Sequence, residues 1–155
     1  MKQELLAYRD LAYSAFHREE SLRRFLTPTE AASLAMIDID CAYVEYDHNS
    51  KRPLILVEIA RDCGQSYKTA TVITNLARAA NLPAYAVLYA VSERGNPADR
   101  RFADLEGFRI RRLHPRPETN WRRLSPKQWA LALVKIRTWS AKRLAALDPA
   151  NDPKF

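Results

Sequence analysis

Met36-Ile37-Asp38-Ile39-Asp40-Cys41-Ala42-Tyr43-Val44-Glu45-Tyr46-Asp47, followed by Pro53-Leu54-Ile55-Leu56-Val57-Glu58-Ile59-Ala60-Arg61, is the stretch on which the fold turns. Each half predicts a strand, and the polar break His48-Asn49-Ser50-Lys51-Arg52 predicts the loop of a hairpin between them. Alternation puts Asp38 and Asp40 on one face of the first strand and Glu58 on one face of the second, in apolar surroundings. Acidic residues are disfavoured in strands and costly to bury, so several at one depth call for a compensating charge. A hard divalent cation with oxygen ligands supplies it. Solvated carboxylates on the edge of an antiparallel hairpin are the alternative.

The bulk of the sequence sets bounds on this reading. With 155 residues and 47% hydrophobic content, the chain can bury the core of one domain. Its apolar stretches are strand-sized and broken by charge, which argues against a membrane span. The start, Met1-Lys2-Gln3-Glu4, lacks the apolar core of a signal peptide. Cys41 and Cys63 form neither a disulfide framework nor a zinc pattern, so a reducing compartment, the cytoplasm, is expected. The net charge of +7 is unevenly placed. Residues 1–78 carry 10 Lys/Arg against 11 Asp/Glu, and residues 79–155 carry 15 against 7. A basic half beside an acidic constellation suits a phosphate-bearing partner, which points to nucleic acid.

Further along the chain, apolar positions predict a helix over 3–25. Thr27-Pro28-Thr29-Glu30 predicts a second, short helix, with Thr27 as cap, Pro28 at its first position and Glu30 closing a capping box. After the second strand, Asp62-Cys63-Gly64-Gln65 turns the chain into a helix over 66–80, stopped by Asn81 and Leu82-Pro83. Residues 84–91 are almost continuously apolar, as in a strand covered on both faces. A polar loop over 92–101, a strand over 108–114 and an irregular segment over 115–120 lead to a last helix, capped by Ser125 and running to Leu147. The expectation is a single α/β domain over 1–147 with a frayed tail over 148–155. The element order is ααββαβ, followed by a strand and a C-terminal helix.

This order, with acids on two consecutive strands, resembles the restriction-endonuclease-like superfamily, the PD-(D/E)XK nucleases. The similarity runs over roughly 28–115 and extends to small phage and prophage members of that superfamily. It implies a three-layer core and metal-dependent hydrolysis of DNA phosphodiesters. Asp40, with Asp38 as neighbouring candidate, and Glu58 would hold Mg2+ or Mn2+. In the family a Lys two positions after the Glu helps activate water; here that position is Ala60. Arg61 alternates to the opposite face, and its permanent charge makes it a poor proton carrier. Some members move the Lys to the following helix, where this chain has Lys68, preceded by Gln65 as a water- or phosphate-orienting group. The rival expectation is a catalytically degenerate protein of the same fold, one that binds nucleic acid or a host or phage protein without cleaving.

The densest basic group is Arg109, Arg111 and Arg112, with Arg100 and Arg101 before it, and these are the expected contacts to a nucleic-acid backbone. Trp121 either stacks on a base or anchors the last helix. His17, His48 and His114 show no ligand spacing, and with 3 glycines there is no Gly-rich phosphate loop. A homodimer is compatible with all of this.

Overall fold

The computed structural model describes residues 23–34, 36–39 and 42–147, the segments 36–39 and 42–45 through their backbone alone. The predicted first helix, apart from a 3-10 turn at Arg23–Phe25, and the frayed tail lie outside these residues. Thr27 and Glu30 form the expected capping box on α1 (Pro28–Ser33). A mixed sheet of six strands follows, in spatial order identical to chain order: β1 (Met36–Ile39), β2 (Ala42–Tyr46), β3 (Pro53–Arg61), β4 (Ala84–Gly95), β5 (Ala103–His114) and β6 (Arg122–Leu124). Only β3 and β4 pair in parallel, and the crossover between them carries α2 (Thr71–Ala80). The C-terminal helix α3 (Pro126–Ala146) starts from a second capping box, Ser125 with Gln128.

Helices α2 and α3 lie on opposite faces of the sheet. Ile55, Val57, Tyr85, Val87, Tyr89, Phe108 and Ile110 form one core with Trp129 and Leu133 of α3. Leu56, Ala84, Ala86 and Leu113 form the other with Ile73 and Ala77 of α2. The apolar run of β4 thus has the two buried faces its sequence predicts, with its aromatics towards α3 and its alanines towards α2. Ser140, fully buried, donates to the carbonyl of Leu54 at 2.7 Å and ties α3 to β3. Asn81 ends α2 in a left-handed conformation, the stop expected of it.

Several expectations are corrected. The predicted strand over 36–47 is two strands, because the chain reverses between Ile39 and Ala42 and β1 pairs antiparallel with β2. That pairing supplies hydrogen-bond partners to an edge β2 would otherwise leave open. The predicted loop over 92–101 shrinks, since β4 continues to Gly95 and pairs it with Ala103 of β5. The segment over 115–120 is followed by the short strand β6, whose three residues, Arg122–Leu124, show no apolar alternation of their own.

The largest correction concerns the helix predicted over 66–80, which begins only at Thr71. The carbonyls of Gln65, Ser66 and Lys68 accept hydrogen bonds from Arg109 (2.8 Å), the Trp121 indole (2.8 Å) and Arg111 (3.5 Å). In a helix those carbonyls would accept from backbone N–H groups four residues on. Side chains from β5 and the segment after it take their place, and residues 62–70 form an arm laid across the sheet.

Candidate functional site

Ala42 is the register partner of Glu58 on one side and Ala86 on the other, and Ala86 is in turn opposite Arg111. This row crosses four strands on the face covered by α2. Glu58 and Arg111 are its long side chains, separated by the methyl of a fully buried alanine. Lys68 reaches down from the arm and places Nζ 2.8 Å from Glu58 Oε1, with both side chains less than one-fifth exposed. Each charge offsets much of the cost of burying the other, which neither would bear alone. The predicted proximity of Lys68 to Glu58 is therefore present, with the lysine on an extended arm rather than in a helical turn.

The next row contains Ala60, Leu88, Arg109 and Arg123. Ala60 brings neither charge nor proton to the position two after Glu58. Arg109 grips Asp62 with both ends of its fork, Nε to Oδ2 at 2.7 Å and Nη2 to Oδ1 at 2.6 Å. The Gly64 N–H adds a third donor to Asp62 at 2.9 Å. Hydrogen bonding from Arg109 holds the Asp62 carboxyl below its ordinary value, and the same pairing raises Arg109. Asp62 was not singled out in the sequence; an Asp-x-Gly turn after a strand is its one local signal. Gln65 faces its own turn, where Oε1 accepts the Cys63 N–H at 2.6 Å and Nε2 donates to the Arg61 carbonyl at 3.0 Å. Its amide is spent on local backbone and is not directed at Glu58.

The expected basic group is divided by the pleat. Arg109 and Arg111 lie on the Glu58 face, whereas Arg112, next in sequence, lies on the α3 face opposite Tyr85. There Glu118 pairs with it at 3.7 Å. Arg100 and Arg101 sit at the β4–β5 turn, roughly 30 Å along β4 from the row of Glu58 at about 3.3 Å per residue. Arg111 is thus the member of the group on this face that no carboxylate neutralises among the described residues. Its guanidinium lies 5.1 Å from the Trp121 ring centre and 5.5 Å from that of Tyr67, and its buried Nε has no hydrogen-bond partner among the described residues. Tyr67 is 63% exposed and presents a free aromatic surface beside that cation. Trp121 fastens the arm to β5 through the Ser66 carbonyl and the Arg109 guanidinium.

Of the expected metal ligands, only Glu58 has a described side chain. Asp40 lies outside the described residues; in sequence it precedes by two positions Ala42, the register partner of Glu58. Asp38 is corrected as a ligand: it belongs to β1 opposite Tyr43, which is opposite Val57, and that row lies on the α3 face, the reverse of the face that carries Glu58; its side chain also lies outside the description. Among the described residues no group of three or more His, Cys, Asp or Glu gathers as a metal site. Among them, too, no helix is long and apolar enough to cross a membrane. No family model, curated protein or solved structure matches this chain.

Proposed function

We propose that this protein is a metal-dependent nuclease of the restriction-endonuclease-like type, acting on DNA. The observation that carries the reading is the 2.8 Å contact of Lys68 with Glu58 on the strand that precedes the parallel crossover. It supplies a cation at the carboxylate although Ala60 stands where the resemblance expects one. The meander of β1, β2 and β3, the α2 crossover and the parallel β4 agree with the three-layer core that the resemblance implies.

Glu58 suits a hard cation in donor type and depth, and Asp40 would be its partner in the ligand set. A bound Mg2+ or Mn2+ ion supplies polarisation of the scissile phosphate and a lowered pKa for an attacking water. Lys68, already beside the carboxylate, stabilises negative charge developing on the reacting phosphate. Arg111 takes a backbone phosphate with its unneutralised fork, and exposed Tyr67 stacks on a base beside it. Arg109 has a positioning role: through Asp62 and the Gln65 carbonyl it holds the arm that delivers Lys68.

Ala60, together with a Gln65 amide consumed by its own turn, favours a second reading, a DNA-binding protein that no longer cleaves. Cleavage of linear, nicked and branched DNA with Mg2+ or Mn2+ separates the two. On the first reading Glu58→Gln abolishes cleavage. Lys68→Ala lowers it about 100- to 1,000-fold, the usual effect of losing one preorganised group that stabilises transition-state charge, with DNA affinity nearly unchanged. A wild-type protein inert on every substrate, and calorimetry showing no metal binding with or without DNA, would overturn the nuclease reading.

A further inference from the structure

On the opposite face of the sheet, a cleft of about 580 Å³ opens between the start of β4, the turn after β5 and α3. It takes no part in the site around Glu58, and what it binds does not depend on the nuclease reading. Its base is apolar, formed by Pro83, Ile136 and the Tyr85 ring. Burial raises the Tyr85 hydroxyl above its ordinary value despite the nearby charges of Arg112 and Arg122. Trp139 forms a wall and is 47% exposed, with the Arg143 guanidinium 4.9 Å from its ring centre.

Apart from Pro115, the remaining lining is cationic. Arg112, Arg116 and Lys135 border the cleft and no carboxylate does. Glu118 is shared by Arg112 and Arg122 at 3.7 and 3.3 Å, while Arg116 and Lys135 have no side-chain partner among the described residues. Arg116 also has a left-handed backbone (φ 56°), unusual for a residue with a long side chain. Its carbonyl is held by Arg112 Nε at 3.1 Å. A strained backbone stabilised by its neighbours, carrying an unpaired cation at a cleft rim, is the kind of feature that function retains.

Unpaired cations alone would suit any small anion. A half-exposed indole above an apolar base adds a demand for a flat, hydrophobic body, and the volume falls within the range of small-ligand clefts, about 300–1,000 Å³. We propose that this cleft binds a nucleotide, its base against Trp139 and its phosphate between Arg116 and Lys135. A free mononucleotide and the 5′-phosphorylated end of a strand share this chemistry.

The test uses calorimetry and tryptophan fluorescence on the full chain, without divalent metal so that no cleavage intervenes. The probes are adenosine 5′-monophosphate, adenosine, inorganic phosphate, and a short single strand with and without a 5′-phosphate. Adenosine 5′-monophosphate should bind at least about tenfold more tightly than adenosine or phosphate alone. Lys135→Gln and Arg116→Gln should each weaken it about fivefold, the effect of one solvent-accessible ion pair. Trp139→Ala should weaken the nucleotide and leave phosphate binding unchanged. Preference for the 5′-phosphorylated strand over the unphosphorylated one, with displacement by the mononucleotide, identifies a strand end; binding confined to the mononucleotide identifies the free ligand. Glu58→Gln should bind like wild type, whatever the outcome for cleavage. The proposal is overturned by no binding at millimolar nucleotide, by phosphate binding as tightly as the nucleotide, by indifference to all three cleft substitutions, or by loss of binding in Glu58→Gln.

Discussion

Asp62→Asn removes the charge that Arg109 grips at 2.7 and 2.6 Å and leaves a guanidinium of 12% side-chain exposure without a counter-ion. Removing one partner of a fully buried pair costs about 3–5 kcal/mol, whereas exposed pairs contribute about 0–1 kcal/mol. This pair lies nearer the buried limit, but Arg109 keeps its bond to the Gln65 carbonyl. The expected loss is about 2–3 kcal/mol, between those limits. At about 2–4 °C per kcal/mol for a domain of this size, the melting temperature should fall by roughly 4–12 °C.

The pH dependence follows from the direction of the shift. Arg109 holds the folded-state Asp62 carboxyl below the ordinary 3.8, so the stabilisation is fully present above that value and is lost as pH falls through the folded-state value. Asparagine does not titrate, so the stability gap between wild type and Asp62→Asn should be full at neutral pH and close in acid. Urea unfolding at a series of pH values measures it. A gap below about 0.5 kcal/mol at neutral pH, the scatter of unremarkable surface substitutions, would refute the reasoning. So would a gap that persists unchanged well below pH 3.8. Hydrogen exchange should also quicken over residues 62–70, because the pair fastens the arm that carries Lys68.

Arg111→Gln should lower DNA affinity about equally for all sequences and reduce the salt slope of binding by about 0.9, the release expected for one phosphate contact; an unchanged slope places the contact elsewhere. Ala60→Lys in a Lys68→Ala background should restore part of the cleavage lost, since Ala60 is two positions after Glu58 on the same strand, and steady-state rates report it. Trp129→Ala should cost about 3–5 kcal/mol, because the ring is fully buried against Tyr85 and Phe108. Ser125→Ala should cost about 1 kcal/mol through the α3 capping box; chemical denaturation measures both.

What could be read from the sequence was local. The capping residues Thr27 and Ser125, the stop at Asn81 and the two-sided burial of 84–91 each depend on neighbours within a few positions. Glu58 in an apolar strand was legible for the same reason. The reversal between Ile39 and Ala42 was not, since apolar alternation continues through it and no glycine or Asn-Gly pair marks it. The late start of α2 was hidden more deeply. The side chains that occupy the carbonyls of 65, 66 and 68 come from 43 to 55 residues further along the chain. A helical pattern read over a short window contains no trace of them.

That same distance determines how the candidate site is held. A lysine two positions after Glu58 would be oriented by the pleat of its own strand, with no further support required. Lys68 has no such support. Its place beside Glu58 depends on Arg109 holding Asp62 and the Gln65 carbonyl, and on Trp121 holding the Ser66 carbonyl. Arg109 belongs to β5 and Trp121 to the segment just before β6, so the cation reaches the carboxylate only once that half of the sheet has formed. The uneven charge of the sequence takes on a specific meaning here. The near-neutral half contributes Glu58 and the lysine that pairs with it. The basic half contributes the arginine that fastens the arm and Arg111, the cation beside it that no carboxylate neutralises among the described residues. Positive charge on this face is divided between an arginine that builds the site and one that pairs with no carboxylate among the described residues, a division that net charge alone could not reveal.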